Sequence, residues 1–99
     1  MKAKLTNKHT LYIDQARAST PKKLTPKDPQ FAPGTWGTWL LDDSAELVSG
    51  SQFELGFGSF DEDYKRAAYD KSAALLNAKS DSAGMIPFTQ LLWEPISPV

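Results

Sequence analysis

Apolar side chains occupy both faces of the strand-like segments in this chain, yet only one segment carries helical periodicity. In 35–41 (TWGTWLL), Trp36 and Leu40 point to one side while Trp39 and Leu41 point to the other, because strand side chains alternate. In 86–94, Phe88 and Leu92 oppose Leu91 and Trp93 in the same way. A lone helix covers one face of a sheet. The second face must then be closed by the 18–34 segment, by another copy of the chain, or by a target. Leu24, Phe31 and Pro33 are the candidates for an internal cover.

The elements follow from local pattern. Residues 8–16 (KHTLYIDQA) read as a first strand, with Leu11 and Ile13 on one face and Tyr12 and Asp14 on the other. After TWGTWLL, the Asp42-Asp43-Ser44 turn and ELVS (46–49) predict a β-hairpin. QFELGFG (52–58) places Phe53, Leu55 and Phe57 on one face and is loosened by Gly56 and Gly58. Ser59 and Glu62 then have the spacing of a capping box, with Asp61, Glu62 and Asp63 in the first turn, where the helix dipole favours negative charge. Asp61–Lys65 and Glu62–Arg66 are i,i+4 pairs. Phe60, Tyr64, Ala67, Ala68, Leu75 and Ala78 predict a close-packing stripe that ends near Lys79, with Gly84 releasing the chain. IPFTQLLWEP (86–95) reads as a last strand, and Pro87 marks its edge position. The expectation is a single α+β domain over residues 1–99, an antiparallel sheet of about four strands in the order β-β-β-α-β with one main helix on one face. Within it, 18–34 is a Pro/Lys-rich arm or loop, holding four of the seven prolines.

Several chemistries lack material. There is no cysteine, and His9 is the only histidine, so thiolate or imidazole metal sites and His-dependent catalysis have almost nothing to work with. No EF-hand spacing, nucleophile elbow or other catalytic motif is present. The expectation is no catalytic residue, no metal and no cofactor. Without a long apolar run or a leader-like segment after Met1, the chain is expected in the cytoplasm, away from membranes.

Charge is sorted by position. Residues 1–30 hold seven Lys/Arg against two carboxylates, a balance of +5, while residues 31–99 hold four against ten, a balance of −6. Such asymmetry points to partners recognised by charge. Asp42, Asp43 and Glu46 at the hairpin turn and Asp61, Glu62, Asp63 and Asp70 on the helix are candidates for a negative face with the charge pattern of a nucleic acid. The same carboxylates equally suit a helix start and a tight turn. Trp36 and Trp39, if left at the surface, would be binding anchors. Lys22, Lys23 and Lys27 on the arm, with Lys2, Lys4 and Lys8, are candidates for nucleic-acid contact, or a solvated basic loop.

Three resemblances accompany these residues. Thr20-Pro21-Lys22-Lys23 resembles the S/T-P-K-K motif of histone-type tails, which implies minor-groove contact. YIDQA followed by GTWGTWLL, in the order β-β-β-α-β, resembles the opening half of a ribonuclease H-type domain, which implies a metal-binding role for Asp14. That pattern departs at Ala67–Ala68 and Thr89–Gln90, where the further carboxylates would stand, so the activity is not carried over. In size, acidity and lack of catalytic groups the chain is similar to small phage and mobile-element inhibitors of the anti-CRISPR type. This implies a non-enzymatic inhibitor or nucleic-acid mimic that binds a larger protein or ribonucleoprotein complex. The alternatives are a nucleic-acid-binding accessory protein using the basic N-terminal arm, and a structural subunit that forms a homodimer.

Overall fold

The computed structural model describes residues 1–15 and 31–96. It contains a four-stranded antiparallel sheet and one main helix, an α+β fold. The strands are β1 (Lys2–Thr6), β2 (His9–Gln15), β3 (Trp36–Leu41) and β4 (Phe53–Gly56), hydrogen-bonded in that spatial order, and α1 is Glu62–Ala78. All four strands thus precede the helix. The expected β-β-β-α-β order does not hold, and with it goes the layout that resembled a ribonuclease H-type domain.

The strand that sequence reading missed is β1. KAKLT alternates charged and apolar residues, and Ala3 and Leu5 enter the core while Lys4 stays out. It pairs with β2 through Lys2↔Tyr12, Ala3↔Leu11 and Lys4↔Thr10 around a tight Asn7-Lys8 turn. At that turn the Thr6 hydroxyl shares a 2.7 Å hydrogen bond with His9 Nδ1 and accepts from the Lys8 amide. The lone histidine is therefore a buried turn residue. At the other end, the Met1 ammonium donates to the Ile13 carbonyl at 2.7 Å, and its burial lowers the amine pKa from the ordinary value against the opposing pull of Asp14.

Two expected strands take other forms. ELVS forms no strand of its own and meets β3 through the bridge Leu41↔Leu47 and the bonds from Val48 N to Leu40 O and from Asp42 N to Glu46 O. The 86–95 segment forms a 3₁₀ turn, Phe88–Gln90, because Pro87 lacks a ladder donor and turns the chain out of the sheet. It stays tied to β1 only through Ile86 N to Leu5 O and the paired bonds between Lys2 and Glu94. Along it, Leu91 is buried, Phe88 stacks edge-on to Tyr69, and Trp93 meets Phe60.

The helix starts two residues later than the expected Ser59 cap implied. Asp61, extended at φ −134°, is the N-cap, and its carboxylate accepts from Asp63 N and Tyr64 N. Its buried stripe is Ala68, Ser72 and Leu76, rotated from the expected one, so that Ala67 and Ala78 face solvent. The small side chains at 68 and 72 still give the close approach to the sheet. The helix ends in a Schellman arrangement, with Asp81 N bonded to Leu76 O and Ser80 N to Asn77 O. Ser80 occupies the left-handed position (φ 60°) there, a role that Gly84 was expected to fill.

One core lies between helix and sheet: Ala3, Leu5, Leu11, Ile13, Leu40, Ala68, Leu76 and Leu91. Trp39 and Leu41 are buried outside it, on the other sheet face. Trp39 is 2% exposed, with the Phe31 ring edge-on at 5.5 Å. Phe31 lies over Gly37, where an added Cβ would approach within 2.4 Å of the ring. The expected internal cover is thus met by Phe31. Pro33 is exposed, and Leu24 lies outside the described residues. Among the described residues no helix is long and apolar enough to cross a membrane.

Candidate functional site

The two tryptophans have different fates. Trp39 is no surface anchor: its side chain is enclosed, and its indole Nε1 has no hydrogen-bond partner among the described residues. Trp36 is half-buried on the helix side, against Phe60 at 5.0 Å and Tyr64 at 6.1 Å, and its Nε1 donates to Gly58 O at 2.6 Å. It forms a rigid aromatic base where β3 begins and the helix starts.

The acidic residues do not form one face. Asp42, Asp43 and Glu46 follow the last residue of β3, whereas Asp61, Glu62 and Asp63 stand at the end where β3 begins, beside Trp36. Six strand residues separate the clusters, roughly 17 Å or more. Asp42 is also engaged locally, since its carboxylate accepts from Ser44 N and Glu46 N and holds the turn together. Asp43 lines a cleft of 280 Å³ together with Lys4 and Lys8, so the turn's negative charge faces positive charge. On the helix, Glu62 pairs with Lys65 at 3.2 Å and Asp70 with Arg66 at 3.8 Å. The remaining carboxylates at that end are exposed: Asp61, Asp63 and, on β4, Glu54, which accepts from Ala32 N.

Phe57 belongs with this end of the molecule. Alternation placed it beside Phe53 and Leu55 facing inward. Gly56 (φ 100°) and Gly58 (φ 129°) break the strand geometry on either side of it. Its ring therefore leaves the pleat and is 70% exposed. The signal that marks it in the sequence is the flanking glycine pair.

Positive charge collects at the opposite edge of the sheet. Lys2, Lys4, Thr10 and Tyr12 share the face away from the helix and, with Ile86, Gln90, Leu92 and Glu94, line a groove of 510 Å³. Leu92 is 80% exposed. Here K-x-K alternation in the first residues was the available sign. Lys22, Lys23 and Lys27 of the expected basic arm, and the TPKK motif, lie outside the described residues.

Asp14 sits on β2 opposite Gly37 and accepts from Gln15 N. Among the described residues no three His, Cys, Asp or Glu side chains converge as a metal site. Comparison with protein-family models, curated proteins and solved structures finds no match to this chain.

Proposed function

We propose that this chain is a non-enzymatic interaction protein that acts in the cytoplasm by docking on a larger nucleic-acid-binding protein or ribonucleoprotein and blocking its basic surface, as phage-borne inhibitors of the anti-CRISPR type do. One observation carries the reading: Phe57 stands 70% exposed, four residues before the exposed carboxylates of Asp61, Glu62 and Asp63 at the helix start. An aromatic anchor inside a charged rim is the arrangement from which interfaces draw most of their binding energy. The ring enters an apolar recess, while the rim matches lysines and arginines that otherwise hold phosphates. Trp36, Phe60 and Tyr64 stack beneath this end and hold it in one conformation, which lowers the entropy lost on docking.

The test is capture of partners from a host lysate on immobilised protein, comparing wild type with Phe57→Ser and with Glu62→Gln/Asp63→Asn. Wild type is expected to retain a nucleic-acid-binding protein that both variants release, and free nucleic acid should compete with that capture. Retention that is indifferent to both variants would remove the reading.

A further inference from the structure

The groove on the sheet face away from the helix lies outside the surface just assigned, at β1, whereas Phe57 follows β4. With β2 and β3 between them, the two are three strand spacings apart, roughly 14 Å. We infer that this groove binds single-stranded nucleic acid, with Lys2 and Lys4 on the phosphates and Tyr12 under a base.

The placement of these groups carries the argument. Lys2 and Lys4 are two positions apart on one strand, so both project from the same face with their Cα atoms about 7 Å apart. That suits two successive phosphates of an extended single strand. Tyr12 pairs directly across from Lys2, and Thr10 across from Lys4. An aromatic ring thus lies beside the cationic track, on the face of a sheet, as sequence-tolerant single-strand binders require. The groove volume of 510 Å³ accommodates one nucleotide-sized group. Leu92 gives an exposed apolar wall, and Gln90 and Thr10 bring hydrogen-bonding groups. Glu94 closes one end. It is bridged to Lys2, and its carboxylate is an acceptor for an exocyclic amine. Past Lys4 the track stops, because in the neighbouring cleft Lys8 and Lys4 face Asp42 and Asp43 of the hairpin turn.

The experiment is fluorescence anisotropy of a short fluorescein-labelled oligothymidylate titrated with the full chain at several salt concentrations. Wild type should bind at low salt and weaken steeply as salt rises. Lys2→Gln/Lys4→Gln should bind more weakly and flatten the log–log salt slope by about 1.4, two phosphates at ~0.7 each. Tyr12→Ala should lose roughly tenfold in affinity with little change in slope. Because Tyr12 is half-buried, thermal melting by circular dichroism is run on each variant, and the surface lysine pair decides the matter if Tyr12→Ala melts early. No binding at low salt overturns the inference. So does binding that survives Lys2→Gln/Lys4→Gln but disappears with Lys22→Gln/Lys23→Gln/Lys27→Gln, or a doubled mass in solution that those two lysines alone abolish. Lysate capture through Phe57 is unaffected by any of these outcomes, so each surface stands or falls separately.

Discussion

Single side chains decide how much of the sheet's second face is closed. Gly37 and Phe31 are the pair to examine, because the strand lacks a Cβ where the ring lies down. Gly37→Ala is expected to displace Phe31 and destabilise the fold by about 1–3 kcal/mol, the usual range for overpacking. Trp39 should then become wetter, visible as a red shift of tryptophan emission, and urea melts give the energy. A blue-shifted or unchanged spectrum with full stability would show that Phe31 does not hold Trp39 in place. Among the described residues, neither the buried indole Nε1 of Trp39 nor the buried hydroxyl of Ser72 finds a hydrogen-bond partner, a cost that the packing around each must offset. Asp42 and Asp61 carry a related lesson. Both were singled out as binding residues, and both also serve the backbone, at a turn and at a helix start.

At the level of elements, β1 is the part whose energetic role sequence reading understated. Leu5 is fully buried at the sheet edge, and β1 shields β2 from exposing its own edge. Leu5→Ala is expected to cost about 2–5 kcal/mol, a large share of the stability of a domain this small. Chemical denaturation checks this, and a loss below 1 kcal/mol would mean that β1 is an ornament on a core formed by the other strands. The helix was legible because carboxylates before a small-residue stripe have a local meaning, the capping and dipole terms. Its buried stripe was harder to place. Alanine is neutral between faces, so the rotation to Ala68, Ser72 and Leu76 was set by what the sheet offered. The 86–95 segment misled for the opposite reason. Its β-type alternation is real, but Pro87 and the 3₁₀ turn after it lift the chain off β1, which it meets at Ile86 and Glu94 without forming a continuous ladder.

Across the whole molecule, the charge asymmetry of the sequence becomes an asymmetry across the sheet. Lysines gather at the β1 edge, and the exposed carboxylates of Glu54, Asp61 and Asp63 gather at the β4 and helix-start end. The hairpin-turn acids do not join them, because the β1–β2 turn brings Lys4 and Lys8 alongside. Two surfaces this far apart should act independently. Combining Lys2→Gln/Lys4→Gln with Glu62→Gln/Asp63→Asn is therefore expected to give a melting temperature change equal to the sum of the two, within about 0.5 kcal/mol when converted to free energy. A larger coupling would mean that the two edges communicate through the sheet.

By itself the sequence determined what neighbouring residues settle among themselves: a helix beginning just after Ser59 and ending near Lys79, strands at 8–16 and 35–41, the two-sided greasiness of the sheet and the sorting of charge along the chain. These rest on periodicity, capping and composition, which act over a few residues. Tertiary structure decided which segments pair, that the fourth strand comes from the N-terminus, that Trp39 goes inside while Phe57 stays out, and that the acidic clusters part company. Those outcomes depend on register and on which surface each side chain meets, and such contacts join residues far apart in the chain.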